Sequence, residues 1–185
     1  DVCVGAGSAS TFNSNEGVLY AELAALADDG TFRILSISNG TRDERIYIQY
    51  KPTSNEISGV AKNNDTTQAN ISFVLSDETQ FAKIAFKYKA NDFALYVNGV
   101  IVGTDTSGTT PVGLNEFSFD QGNRANNFYG KVKEVLTFNS ALSNGELSDL
   151  TNPYKSYNDF AITFGFTWES QDCTNNSIAA LKSLS

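Results

Sequence analysis

The chain has 185 residues, with 13 Lys and Arg against 21 Asp and Glu, a formal net charge of -8 and no His. This length suits one domain, and the acidic balance repels phosphate backbones and anionic bilayers, which argues against nucleic acid as a partner. Without His the chain lacks the base of Ser-His-Asp and Cys-His nucleophile activation and the commonest transition-metal side chain, so those enzyme classes are excluded.

The acidic residues fall in short groups, Asp28-Asp29, Asp43-Glu44 and Asp77-Glu78, which reads as a solvated surface and not as an acidic tail. There is no Met and the sequence opens at Asp1, as expected of a processed protein or a segment of a longer polypeptide. Neither a run of about 18 apolar residues nor a basic-then-apolar leader is found, so membrane insertion is not expected. Cys3 and Cys173 stand near opposite ends. Two such residues define neither a disulfide framework nor a zinc site, and a bridge and two separate thiols both stay open.

Between residues 32 and 138, β-branched and aromatic runs alternate with Gly, Asn, Asp, Thr and Ser every ten residues or so, the spacing of an all-β, antiparallel sandwich or barrel, of which the period-two runs favour the sandwich. Strands are predicted at 32–37 and 45–50, joined through Asn39-Gly40, a pair suited to the positive φ values of a tight turn. Further strands are predicted at 56–61, 70–75, 81–89, 93–97, 100–104, 116–119 and 128–138. In the 81–89 run Lys83, Lys87 and Lys89 alternate with Ile84, Phe86 and Tyr88, so one face reads as wet and the other as packed. Ser143 and Glu146 form a capping-box pair opening a short helix at 147–151, which Pro153 stops. Alternation of Phe160, Ile162, Phe164, Phe166 and Trp168 predicts a closing strand, with a helix start at 156–159 as the other reading. Ile178-Ala179-Ala180-Leu181 reads as a short helix in a tail leading onward. The expected division is a jelly-roll domain at 1–152 and a C-terminal extension at 153–185.

Two stretches carry a resemblance. The first is Phe81-Ala82-Lys83-Ile84-Ala85-Phe86-Lys87-Tyr88, then Phe93-Ala94-Leu95-Tyr96-Val97-Asn98-Gly99-Val100-Ile101-Val102-Gly103. The second is Phe128-Tyr129-Gly130-Lys131-Val132-Lys133-Glu134-Val135-Leu136-Thr137-Phe138, followed by Ala141-Leu142-Ser143. In this order they resemble laminin-G-like domains of the concanavalin A-like jelly-roll type, over roughly residues 16–151. Independently, Asn98-Gly99 is a tight-turn pair and Gly130 permits a bulge or a close approach. The wording of 16–22 and 87–95 is similar to modules in structural and fibre proteins of tailed bacteriophages. The resemblance implies a non-catalytic carbohydrate-binding or recognition module of a virion appendage or extracellular protein. Its implied partners are host-surface glycans and other virion structural proteins, with a homo-oligomer formed through the parent protein. It equally allows a structural module that decorates or oligomerises an appendage without binding sugar.

Glycoside hydrolases of this fold carry a strand motif E-x-D-x-x-E. Here Glu116 and Asp120 share a strand face with no third carboxylate, which reads as a solvated charge pair, and the His expected of lyases is missing, so no catalytic residue is assigned. No cofactor is required. Ca²⁺ stays open at Asp28-Asp29-Gly30, Asp105 and 120–123, whose oxygens are hard, although turn formation accounts for the same residues. The candidate glycan contacts are Gln121, Asn123, Arg124, Asn126 and Asn127, which concentrate amide and guanidinium groups, with Tyr129 placed to stack on a sugar ring. Arg42, Asp43 and Arg45 form a second cluster, and Trp168 reads as core. The triplets at Asn39, Asn64 and Asn70 match glycosylation acceptors, incidental in a phage or bacterial setting.

Overall fold

The computed structural model describes residues 6–156, Asp159, and the segments 169–172 and 180–184. The strands are β1 (Glu16–Ala25), β2 (Arg33–Ser38), β3 (Arg45–Tyr50), β4 (Glu56–Asn63), β5 (Thr66–Val74), β6 (Ala82–Lys89), β7 (Phe93–Val97), β8 (Val100–Asp105), β9 (Glu116–Ser118), β10 (Gly130–Phe138), β11 (Glu169–Asp172) and β12 (Ala180–Leu184), with helix α1 (Asn144–Leu150) between β10 and β11. One sheet has the order β5-β4-β3-β2-β9 and the other β11-β12-β10-β1-β6-β7-β8. All pairings are antiparallel except β10 with β12. The sandwich expected from the period-two runs is therefore present.

Successive strand residues point to opposite faces, so each strand offers one set of side chains to the space between the sheets. Leu35, Ile37, Ile46, Ile48, Tyr50 and Ile57 from the five-stranded sheet meet Leu19, Leu23, Ile84, Phe86 and Leu95 from the other. Gly59 lets the layers close, since a Cβ there would stand 2.4 Å from the Phe86 ring.

The outer face of the seven-stranded sheet is also buried. Val18, Tyr20, Ala85, Tyr96, Leu136 and Phe138 pack beneath Leu142 and the α1 residues Leu147 and Leu150. The helix begins with the predicted box, Ser143 Oγ accepting from Glu146 N and the Glu146 carboxylate accepting from Ser143 N. This cover corrects the expected wet face of β6. Lys83 and Lys87 are buried, Lys83 Nζ donating to the carbonyls of Asn152 (3.0 Å) and Lys155, and Lys87 Nζ pairing with Asp92 at 2.6 Å.

β1 was not predicted as a strand, yet it lies between β10 and β6 at the centre of its sheet. Both of its faces are buried, so Val-Leu-Tyr-Ala-Glu-Leu-Ala-Ala reads as a nearly unbroken apolar run without alternation. Its Leu and Ala favour helix locally, and pairing on both edges overrides that preference. Asn98 (φ 49°) and Gly99 (φ 87°) make the two-residue turn expected between β7 and β8. Asn39-Gly40 instead opens the longer loop 39–44, because the Asn39 side chain accepts from Thr41 N (3.1 Å) and Thr41 Oγ1 (2.6 Å) and closes a turn of its own. At Gly130 the close approach is real, with a Cβ there 2.6 Å from the Ala24 carbonyl. In the extension, Ala180 and Leu181 belong to β12 and not to a helix, since Ala180–Leu184 pairs with β11 and Leu181–Leu184 runs parallel to Val135–Phe138. Ser156 and Asp159 cap one another reciprocally. Cys3, Cys173, Trp168 and the closing strand expected at 160–168 lie outside the described residues.

Phe86→Ala is expected to cost about 3–5 kcal/mol through lost burial and the cavity left behind. Gly59→Ala overpacks the same spot, so Gly59→Ala combined with Phe86→Leu should cost less than the sum of the singles, and chemical denaturation of the wild type and these four variants checks both statements. The buried Glu78 carboxyl supplies a pH test. Burial, then the charge of Asp28, raises its pKa in the folded state. Its contribution is therefore fully present below the unfolded carboxylate pKa of about 4.3 and is lost as pH rises through the higher folded value. Glu78→Gln should remove that loss, gaining thermal stability relative to wild type between pH 4 and pH 7. A difference that stays constant with pH would contradict it.

Candidate functional site

Beyond β9 the chain turns over the outer face of the five-stranded sheet. The outward positions of β2, β4 and β9 include Ser36, Ser38, Ser58 and Ser118, all fully buried. Small hydroxyl side chains leave the depth that a loop backbone needs. Ser36 Oγ donates to the Asp120 carbonyl (2.7 Å), Arg45 Nη1 to the Gln121 carbonyl, and the Ile34 amide to the Asn126 carbonyl (3.1 Å), so the loop is pinned at both ends. Asp120 Oδ1 accepts from Gly122 N (2.6 Å) and Ser118 Oγ (3.1 Å), folding the chain back on itself. Gly122 has φ 95°, and a Cβ there would lie 2.5 Å from the Thr41 carbonyl, so glycine is required twice over.

All six predicted contacts meet on this loop and its exit. Asn123, Arg124, Asn126 and Tyr129 are exposed, while Gln121 and Asn127 are half-buried. The amides mostly satisfy one another. Gln121 Nε2 donates to Asn123 Oδ1 (3.0 Å), Asn126 Nδ2 to Gln121 Oε1 (2.9 Å), and Asn127 Nδ2 to the Tyr129 hydroxyl (3.3 Å). Arg124, held at φ 65°, has no side-chain partner among the described residues. The Tyr129 ring is 62% exposed, and its carbonyl is fixed by Arg33 Nε at 2.8 Å. The loop thus offers a free guanidinium and an open aromatic face on a braced frame of amides.

The second cluster divides. Arg45 belongs to the site, under the loop, with its guanidinium 4.4 Å over the Tyr47 ring. Burial lowers the Arg45 pKa and raises that of the Tyr47 hydroxyl, which Arg45 partly offsets. Arg42 instead pairs with Asp65 at 3.4 Å, and the Asp43 carbonyl accepts from Asp65 N. Sequence reasoning missed the bed on which the loop rests, namely Ser36, Ser38 and Ser118 with Ile34, and beyond them on the same face Gln49, Ser58, Tyr47 and Val60. Alternating polar residues along β2 and β4 were the available signal, but alternation reads as a wet face unless the covering loop is known.

The expected solvated pair of Glu116 and Asp120 is not formed. β9 stops at Ser118, Glu116 stands half-exposed opposite Ser38, and Asp120 has left the strand to be buried as the loop's internal brace. The oxygens weighed for Ca²⁺ each serve their own turn. Asp29 binds Arg33 (2.8 Å) and Thr31 N (3.0 Å), Asp28 accepts from Ser54 Oγ, and Asp105 accepts from Ser107 N (3.0 Å). Among the described residues no three carboxylates gather where they could share a cation.

A family model described as the concanavalin A-like lectin/glucanases superfamily matches residues 7–148. Among solved structures, the chain is similar to the CBM40 of Ruminococcus gnavus IT-sialidase bound to alpha2,3 sialyllactose, with TM-score 0.64 and 17% identity over 80% of this chain and 94% of that one. It is also similar to a leech intramolecular trans-sialidase, with TM-score 0.61 and 20% identity over 78% and 24%. A native heptameric SAP-like pentraxin from Limulus polyphemus gives TM-score 0.57 and 10% identity over 82% and 75%. At these identities the likeness is one of fold. No curated protein matches the chain in sequence. The family match spans most of the chain, and the two-sheet architecture agrees with it: this chain belongs to the concanavalin A-like lectin/glucanase superfamily.

Proposed function

We propose that the chain is a non-catalytic carbohydrate-binding module that holds glycans through the 121–127 loop and Tyr129. The observation that carries this reading is Arg124, an exposed guanidinium without a partner on a loop whose amides are mutually bonded and whose backbone is pinned to the sheet. Such a group is presented at low ordering cost. Its fork bridges two hydroxyls or takes a carboxylate, and the neighbouring tyrosine ring suits the apolar face of a pyranose. The similar CBM40 structures bound to alpha2,3 and alpha2,6 sialyllactose support a glycan as the ligand class. Asp120 is buried under the loop and holds its backbone, which supports a structural and not a catalytic role for that carboxylate.

Host-surface glycans are the ligands we infer, with the module on a virion appendage or another extracellular protein. The appendage setting rests on the wording of 16–22 and 87–95. Binding in this reading requires no cofactor, Ca²⁺ included. Contact with other virion proteins, or with further copies of the parent, is a second reading favoured by one feature. Gly103 lies against Ile71 and Gly108 against Gln68, so β8 and β5 run side by side in opposite senses. Val100 and Ile101 on β8 and Phe73 and Val74 on β5 are exposed apolar residues on these two open sheet edges.

Arg124→Ala is expected to weaken binding of alpha2,3 sialyllactose about 10-fold or more, the size of a lost charge-assisted hydrogen bond. Stability should stay within about 0.5 kcal/mol, because the residue is exposed. Calorimetric titration and denaturation read the two quantities. Binding that survives both Arg124→Ala and Tyr129→Ala would move the site elsewhere. A blank glycan array from folded protein would leave the scaffold reading in its place.

A further inference from the structure

Arg33 stands at the start of β2, 3% exposed, and every nitrogen of its guanidinium is engaged. Nη2 pairs with both oxygens of Asp29 (2.8 and 2.9 Å), Nη1 donates to the Thr31 carbonyl (3.2 Å), and Nε donates to the Tyr129 carbonyl (2.8 Å). A second carboxylate, Glu78, stands farther off, with Oε1 3.9 Å from Nη1. Asp29 and Thr31 belong to the turn before β2, where Thr31 N donates to Asp29 Oδ1 at 3.0 Å and Gly30 holds φ 71°. Asp28 accepts from Ser54 Oγ and anchors that turn from its other side. The fork of Arg33 therefore joins the 28–31 turn to the exit of the 121–127 loop, across 96 positions of sequence.

What it holds there is the peptide plane between Tyr129 and Gly130. A glycine leaves the plane ahead of it free to turn, and the Tyr129 carbonyl belongs to that plane. Phe128, just before, is anchored with its ring 5.9 Å from Tyr50 and 6.3 Å from Phe119. The Tyr129 ring is 62% exposed and takes the Asn127 amide on its hydroxyl at 3.3 Å, so its direction is set by backbone more than by packing. The start of β2 supplies both holds on this stretch, the Ile34 amide on the Asn126 carbonyl and the Arg33 side chain on the Tyr129 carbonyl. We infer that Arg33, aimed by Asp29, is a positioning residue of the glycan site, and that the 28–31 turn sets affinity through Tyr129 and not through contacts of its own. This rests on the glycan-binding reading and extends it to a turn outside the loop. A bidentate carboxylate fixes the plane of a guanidinium, and a lysine cannot serve three acceptors from one planar fork. The bonds from Thr31 and Arg33 hold the Asp29 carboxyl below the ordinary carboxylate range, so the aiming group stays ionised. An aromatic platform ordered beforehand loses less freedom when a sugar lands on it.

Wild type, Asp29→Asn, Arg33→Lys, Tyr129→Ala and the double variant Asp29→Asn with Tyr129→Ala would be titrated calorimetrically with alpha2,3 sialyllactose. NMR relaxation of the Tyr129 and Gly130 amides, which needs no sugar, would be read beside it. Asp29→Asn keeps an acceptor for Thr31 N and loses the second acceptor facing Nη2. It should weaken binding about 5-fold, a usual coupling within one hydrogen-bond network, and raise the mobility of both amides. Arg33→Lys should do at least as much, and should it fail to fold, Asp29→Asn decides. In the Tyr129→Ala background Asp29→Asn should change affinity by less than about 2-fold, because the ring through which it acts is gone. An equal loss in both backgrounds would overturn the positioning role. If Tyr129→Ala binds too weakly to titrate, the amides decide, and unchanged mobility in Asp29→Asn overturns it. Affinity unchanged in Asp29→Asn and Arg33→Lys but lost in Tyr129→Ala would also overturn it and leave the glycan-binding reading standing. Wild type that binds no glycan would overturn both.

Discussion

The carboxylate of Asp120 organises everything above the five-stranded sheet. By taking the Gly122 amide and the Ser118 hydroxyl on one oxygen, it reverses the chain just after a three-residue edge strand and lays the next residues flat over β2 and β3. Two hydrogen bonds gathered on one carboxylate oxygen are a strong local restraint, and they are shielded here from competing water. Without that reversal, Ser36, Ser38 and Ser118 would face solvent, the Ile34 amide would lose the Asn126 carbonyl, and Arg124 and Tyr129 would have no common platform.

A sandwich buries its inner faces by construction, but its outer faces need separate solutions, and this chain uses two different ones. Over the seven-stranded sheet, α1 seals an apolar face with Leu147 and Leu150, a permanent cover made by side chains. Over the five-stranded sheet, the cover is a loop held by its backbone carbonyls on a bed of serines, arginine and tyrosine. Apolar sealing is non-directional and tolerates small errors, whereas polar seating is geometric and leaves orphans wherever it is incomplete. Of the six unsatisfied buried atoms among the described residues, those of Arg45, Asp120 and Asn127 belong to this polar seating, while one on Asp149 belongs to α1.

Where a strand alternates and ends in a turn, its residues announce it, as Arg45–Tyr50 and Phe93–Val97 do to the residue. Where both faces are covered, alternation misleads in two directions. In β1 it vanishes, so a central strand looks like an apolar segment of either kind, and in β6 it persists although every residue but Lys89 is buried. The six contacts on the 121–127 loop and at Tyr129 could be named from composition because amides and an arginine in a loop are conspicuous. Arg45 could be named but not joined to them, since the link is a hydrogen bond across 76 positions of sequence. Asp120 looked like half of a surface pair because nothing local says that the strand has already ended.

The distribution of positive charge draws these points together. The sequence holds four arginines, Arg33, Arg42, Arg45 and Arg124, in a chain of net charge -8. Arg33 is paired with Asp29 and Arg42 with Asp65. The remaining two, without an ion pair among the described residues, are the one under the loop and the one on top of it. At physiological ionic strength the net charge is screened beyond about 8 Å, so an anion approaching this face meets local cations and not the overall negative balance. The two guanidiniums are not equivalent, however. Arg124 is exposed, while Arg45 is buried, stacked on Tyr47 and bonded to the Gln121 carbonyl. One loop therefore separates two guanidiniums by depth, one exposed and one buried, and the Asp120 reversal sets the depth of both.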